Sequence, residues 1–82
     1  MEYKIHLFAH IAEILNENFI EIRSEQPNLS AHELKQIINE QYPNITVLLD
    51  TCFIAKNSQY VDRNDRITPQ DHIALIPPVS GG

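Results

Sequence analysis

Glycine is almost missing from this chain: of 82 residues only the last two, Gly81 and Gly82, are glycine. No internal turn or helix end can therefore use the residue that most readily takes a positive φ. A glycine-rich phosphate loop is excluded for the same reason. Cysteine is scarcer still. Cys52 stands alone, so no internal disulfide can form and nothing points to secretion. Nor is there a cysteine pair to complete a zinc site. No apolar run approaches the ~20 residues of a membrane-crossing helix. The opening "MEYKIHLFAH" lacks a basic region followed by an apolar run, so it does not read as a signal peptide. Two glycosylation-like triplets, Asn28-Leu29-Ser30 and Asn44-Ile45-Thr46, have no consequence in a chain that stays out of the secretory pathway. Basic residues are few: six Lys and Arg against eleven Asp and Glu give a net charge of −5. That balance disfavours nucleic acid and anionic membranes as partners and suits a basic protein surface. The expectation is a soluble cytoplasmic domain with neither a nucleic-acid nor a membrane partner.

What remains is ordinary globular material, 43% hydrophobic and 21% charged, enough for one small core. "YKIHLF" sets Tyr3, Ile5 and Leu7 against Lys4, His6 and Phe8, the alternation of a strand with one buried face. "AHIAEILNE" changes period, and Ile11, Ile14 and Leu15 share a helical stripe with Phe8 one turn earlier. "FIEIRS" returns to alternation through Ile20 and Ile22. In "LSAHEL", Ser30 and Glu33 predict a capping box, with Leu29 and Leu34 as its hydrophobic staple. That helix runs on through Ile37, Ile38 and Tyr42 until Pro43 stops it. "NITVLLD" fits both strand and one helical turn and reads as a turn-rich connection. "CFIAK", the turn "NSQ" and "YV" form a hairpin. "DRNDRITPQD" is a polar loop anchored by Ile67, and "HIALI" is a last strand ended by Pro77 and Pro78. The order predicts one mixed-sheet α+β domain over residues 1–76, with the long helix across one face and a tail over 77–82.

Candidates for chemistry are few. His6, His10, His32 and His72 include no pair spaced i, i+4 within one helix, and they read as surface residues. Cys52 has no basic or histidine neighbour in sequence to lower its pKa, and it reads as a small buried hydrophobe. "DRNDR" lacks the glycine and glutamate of a calcium loop, leaving a solvated turn. Taken alone, the domain offers no metal site and no enzyme site. Two features stand apart from the core. If Ile73 and Leu75 point inward, Ala74 and Ile76 point out, and Ile76 would lie beside Tyr60 and Phe8. These are either scattered apolar residues or a contiguous protein interface. The tail is the second feature. Its two prolines favour an extended exit, and six residues at about 3.3 Å each reach up to ~20 Å past the strand. The terminal glycine pair lets a carboxylate enter a channel too narrow for a Cβ, as an acyl group presented for activation would require.

"YKIHLFAHIAEIL", "AKNSQYV" and "DHIALIPPVSGG" together resemble the small subunits of molybdopterin synthase. These are β-grasp, ubiquitin-like sulfur carriers, and the similarity runs from residue 3 to the last residue. "IPPVSGG" is its most selective part, and Phe8-Ala9 and Asn57 also sit where the family has them. "HIAE" departs from it, since a basic residue is common there. The resemblance implies that Gly82 is adenylated by an ATP-using enzyme similar to the ubiquitin activators and then becomes a thiocarboxylate. It implies no cofactor bound by this chain. The large synthase subunit is the implied partner, with Gly81 giving clearance and Pro77, Pro78, Val79 and Ser80 threading its channel. There the sulfur would pass to cyclic pyranopterin monophosphate. Phe8, Tyr60, Ala74 and Ile76 are the implied docking patch. A thiamine-thiazole sulfur carrier, a ubiquitin-like modifier and a plain interaction domain are the rival readings.

Overall fold

The computed structural model describes residues 1–78. Strand β1 (Glu2–Leu7) buries Tyr3, Ile5 and Leu7 and turns Lys4 and His6 outward, as the alternation predicts. The buried Tyr3 hydroxyl keeps a partner, donating to the Gln26 carbonyl at 2.9 Å. Helix α1 (Ala9–Leu15) begins one residue after Phe8, which is extended at φ −132° and ψ 156°. This corrects the expected stripe. An extended Phe8 breaks the helical phase, so the short helix turns Ile11 inward and leaves Leu15 half-buried and Ile14 exposed. Asn16 closes α1 in the left-handed region, at φ 55° and ψ 42°, where other chains commonly use glycine.

Strand β2 (Phe19–Arg23) pairs antiparallel with β1 and buries Ile20 and Ile22. The two-residue β3 (Leu29–Ser30) leads into α2 (Ala31–Gln41). The capping box is present: Ser30 Oγ accepts the Glu33 N–H at 3.0 Å, and Glu33 Oε1 accepts the Ser30 N–H at 2.9 Å. Leu34 and Ile38 are fully buried beneath this helix. The segment expected to be a turn-rich connection is instead a 3-10 turn (Pro43–Ile45) and a short helix α3 (Thr46–Thr51). Burial explains the difference. Ile45 and Leu49, four residues apart, both enter the core, while Val47 faces solvent.

Strands β4 (Phe53–Lys56) and β5 (Gln59–Tyr60) form the expected hairpin. Its turn is Asn57-Ser58, both at positive φ (52° and 71°), the two-residue pattern that matches the twist of a hairpin. The polar loop after it is not wholly irregular: β6 (Arg66–Ile67) pairs with β3, setting the buried Ile67 against Leu29. Strand β7 (Ile73–Ile76) lies in the middle of a five-stranded sheet of order β2-β1-β7-β4-β5, parallel to β1 and antiparallel to β4. Residues from all three helices join the inward residues of the sheet in one core. This is the mixed-sheet β-grasp arrangement that the resemblance implies, and it leaves the other face of the sheet open.

Asp71 ties the hairpin to the start of β7. Its carboxylate accepts the Thr68 N–H at 2.8 Å, the Thr68 hydroxyl at 3.2 Å and the Asn57 amide at 3.0 Å. Asn57 in turn accepts the His72 N–H at 2.9 Å. The Thr68 N–H is the main reason that the Asp71 carboxyl sits below the usual carboxylate range, with the Asn57 and Thr68 side chains adding to it. Replacing Asp71 by Ala is expected to cost roughly 1 kcal/mol, read in urea unfolding. A depressed folded pKa contributes stability above the unfolded value and loses it as pH falls through the folded one. The gap between wild type and Asp71→Ala should therefore close on acidification. Ser30→Ala removes the cap of α2 and is expected to lower stability by about 1 kcal/mol at neutral pH in the same experiment.

Candidate functional site

The open face of the sheet is built by the residues that alternate with the core. Cross-strand register places Phe19, His6, Ala74, Ala55 and Tyr60 in one row across all five strands. A second row follows from the same register, with Phe53 opposite Ile76 and Phe8 just beyond the Leu7–Leu75 pair. The two central positions of the first row are alanines, 6% exposed each, and the positions around them are large. Small residues surrounded by large ones make a hollow. It measures about 290 Å³ and is lined by Phe8, Ala55, Tyr60, Ala74, Ile76 and the Ser58–His72 end.

All four residues expected to form a docking patch, Phe8, Tyr60, Ala74 and Ile76, line this one socket. Tyr60 and Phe8 remain 68% and 48% exposed, large apolar surfaces left uncovered among the described residues. Phe53 was missing from the sequence reading. It is 53% exposed, and its ring lies 5.5 Å from that of Tyr60, tilted by 54°. The distance and tilt suit an edge-biased aromatic pair. The alternation of "CFIAK" could have shown that Phe53 and Ala55 share a face, but the sequence alone did not say which face.

The polar end of the socket is built from histidine. His6 and His72 stack with ring centroids 4.5 Å apart and planes 14° from parallel. Phe19 stands on the far side of His6 at 6.4 Å, and the Lys4 ammonium sits 4.0 Å above the Phe19 ring. Burial holds His6 below its ordinary pKa, and the neighbouring His72 and Lys4 push it the same way. His10 and His32 are exposed and lie elsewhere, on α1 and α2.

Other candidates are not brought together. Cys52 is buried at the end of α3, and its thiol donates to the Leu48 carbonyl at 3.1 Å. Burial pushes that thiol up, and the Lys35 ammonium opposes the shift only in part. A thiol raised in this way is a packing residue, not a nucleophile. Among the described residues, no three His, Cys, Asp or Glu side chains gather closely enough to hold a metal ion. No helix of the described residues is long and apolar enough to cross a membrane.

Pro77 is half-buried and Pro78 exposed, directly after Ile76 at the rim of the socket. The remaining tail positions named from sequence, Val79, Ser80, Gly81 and Gly82, lie outside the described residues. The apolar socket and the root of the tail thus share one strand end.

Comparison with known proteins extends this picture. The ThiS family matches residues 5–82. The molybdopterin synthase sulfur carrier subunit of Dictyostelium discoideum is 34% identical, over 99% of this chain and 96% of its own length. A solved complex of subunits 1 and 2 of the molybdopterin-converting factor from Helicobacter pylori contains a chain that superposes with a TM-score of 0.69 at 29% identity, covering 100% of both chains. Small archaeal modifier protein 1 of Haloferax volcanii shares the fold, with a TM-score of 0.79 at 17% identity over 95% of this chain and 98% of its own. The match of the family to nearly all of the sequence and the β-grasp sheet with its open face agree, and the chain belongs to the ThiS family.

Proposed function

We propose that the chain works as the sulfur carrier subunit of a molybdopterin synthase, with the Gly82 carboxylate as the group that bears sulfur. An ATP-using adenylyltransferase similar to the ubiquitin activators first converts that carboxylate to an acyl adenylate. This gives the acyl carbon a leaving group that a free carboxylate lacks. The outer sulfur of a persulfide donor then attacks the acyl carbon and expels AMP, giving an acyl disulfide. A second thiol of the donor system cleaves the S–S bond, so that a disulfide forms between the two donor thiols and the thiocarboxylate leaves. The tail carries it into the large synthase subunit, where sulfur passes to cyclic pyranopterin monophosphate to build the dithiolene. Pro77 and Pro78 stiffen the exit, Val79, Ser80 and Gly81 thread the channel, and general acids and bases come from the large subunit.

The observation that carries the reading is the continuity of the apolar socket with the root of the tail. A partner seated on Phe8, Phe53, Tyr60 and Ile76 is held beside the strand end from which the tail departs. The curated relative at 34% identity and the Helicobacter pylori complex of subunits 1 and 2 support a large-subunit partner.

Two variants separate docking from sulfur transfer. Deleting Gly82 is expected to leave binding to the large subunit intact and abolish molybdopterin formation from cyclic pyranopterin monophosphate. Ala55→Leu fills the socket floor from the solvent side. It is expected to weaken the complex at least about tenfold in calorimetry while changing the melting transition little. Molybdopterin formation by the Gly82-deleted chain would contradict the proposal, as would undiminished binding by Ala55→Leu. Lysine conjugates in place of molybdopterin would favour a protein modifier.

A further inference from the structure

The stacked histidines are not used by the chemistry above, and they stand at the edge of the socket. His72 lines the hollow and His6 is stacked against it. We propose that this pair receives a carboxylate of the docking partner, so that the partner carries an acidic side chain next to the apolar residue that fills the socket. The inference rests on the docking reading above and adds the chemistry of the partner's surface.

The surroundings of the pair favour an anion. From β1, Lys4 sits on the same face two residues before His6, and the β1–β7 register extended by one residue sets it opposite His72. From β2, Phe19 packs on His6, and Glu21 lies opposite Lys4 without an ion pair to it among the described residues. From the β4–β5 turn come only Asn57 and Ser58, both uncharged. Asp71 precedes His72, but its carboxylate is turned to Thr68 and Asn57. Among the described residues, the socket itself is lined by no carboxylate. A chain of net charge −5 has therefore placed two imidazoles and an ammonium at one end of the open sheet face. Each neutral imidazole offers one N–H donor, and a protonated one offers two.

In the free chain a charge on His6 is disfavoured by burial, by His72 and by Lys4. A carboxylate delivered by the partner reverses that penalty, so the complex takes up more protons than the separated proteins do. Affinity should then rise as pH falls through the histidine range and decline as pH rises. An apolar contact at this place would have the opposite sign, because it would penalise the charged ring.

The test is the dissociation constant of the complex with the large subunit, measured between about pH 8 and about pH 5.5, above the range where carboxylates themselves titrate. The wild-type chain is compared with the His6→Gln/His72→Gln double variant and with His72→Gln alone, each checked for an unchanged melting transition. Ionisations on the large subunit act equally on all three chains, so the difference in slope belongs to the pair. The wild type should tighten about tenfold more than the double variant across this window. The single variant serves if the double variant does not fold. Equal slopes, or a wild type that weakens on acidification, would overturn the inference while leaving the docking reading intact. No complex at any pH would overturn both.

Discussion

The architecture depends on the pairing of β7 on both of its sides. Parallel to β1 and antiparallel to β4, this four-residue strand completes the sheet and fixes which side chains share a face. Ile73 and Leu75 are fully buried against the helices, and each such burial contributes about 1.5–3 kcal/mol. The period of two then leaves Ala74 and Ile76 no choice but the open side. A register slip of one residue would expose the core pair and bury the socket floor, so the packing of the core and the shape of the open face are set by one constraint. The same strand ends at Pro77, which places the root of the tail at the edge of the hollow it helped to form.

Nearly lacking glycine, the chain meets its backbone demands with other residues. Asn16 closes α1, and Asn57 and Ser58 make the hairpin turn, all at positive φ. Asn57 does more than turn. Its side chain accepts from the His72 backbone and donates to Asp71, so the hairpin is held to the start of β7 and Tyr60 is carried to the rim of the socket. Ala9 also takes a positive φ of 51°, directly after the extended Phe8. A non-glycine residue in that region carries an energetic cost, and here the cost falls where the chain swings an aromatic ring onto the open face.

Local pattern made much of this legible. The alternation of "YKIHLF" named the inner face of β1, and the Ser30–Glu33 spacing named the cap of α2, because both signals lie within a few residues. Face alternation in "HIALI" paired Ala74 with Ile76 on one side, and only with the family resemblance did that side become a patch shared with Phe8 and Tyr60. What escaped depends on register between distant segments. The pairing of Leu29 with Ile67, the stack of His6 on His72 and the placement of Phe53 opposite Ile76 all require knowing how strands far apart in sequence align. The helix after Pro43 was hidden for another reason. Its β-branched residues resemble a strand, and only burial of Ile45 and Leu49 against α2 settles the matter.

A firm sheet that presents an apolar socket at the root of a tail suits a protein whose task is to be handled by successive partners. On the proposed reading, the sheet supplies recognition and the carboxylate of the last residue supplies the chemistry. The most direct test is the intact mass of the chain after incubation with an adenylating enzyme similar to the ubiquitin activators, ATP, a persulfide donor and a thiol reductant. The account predicts a product heavier by the difference between one sulfur and one oxygen atom, localised to Gly82 by fragmentation and absent when Gly82 is deleted. An unchanged mass after demonstrated adenylation would contradict it.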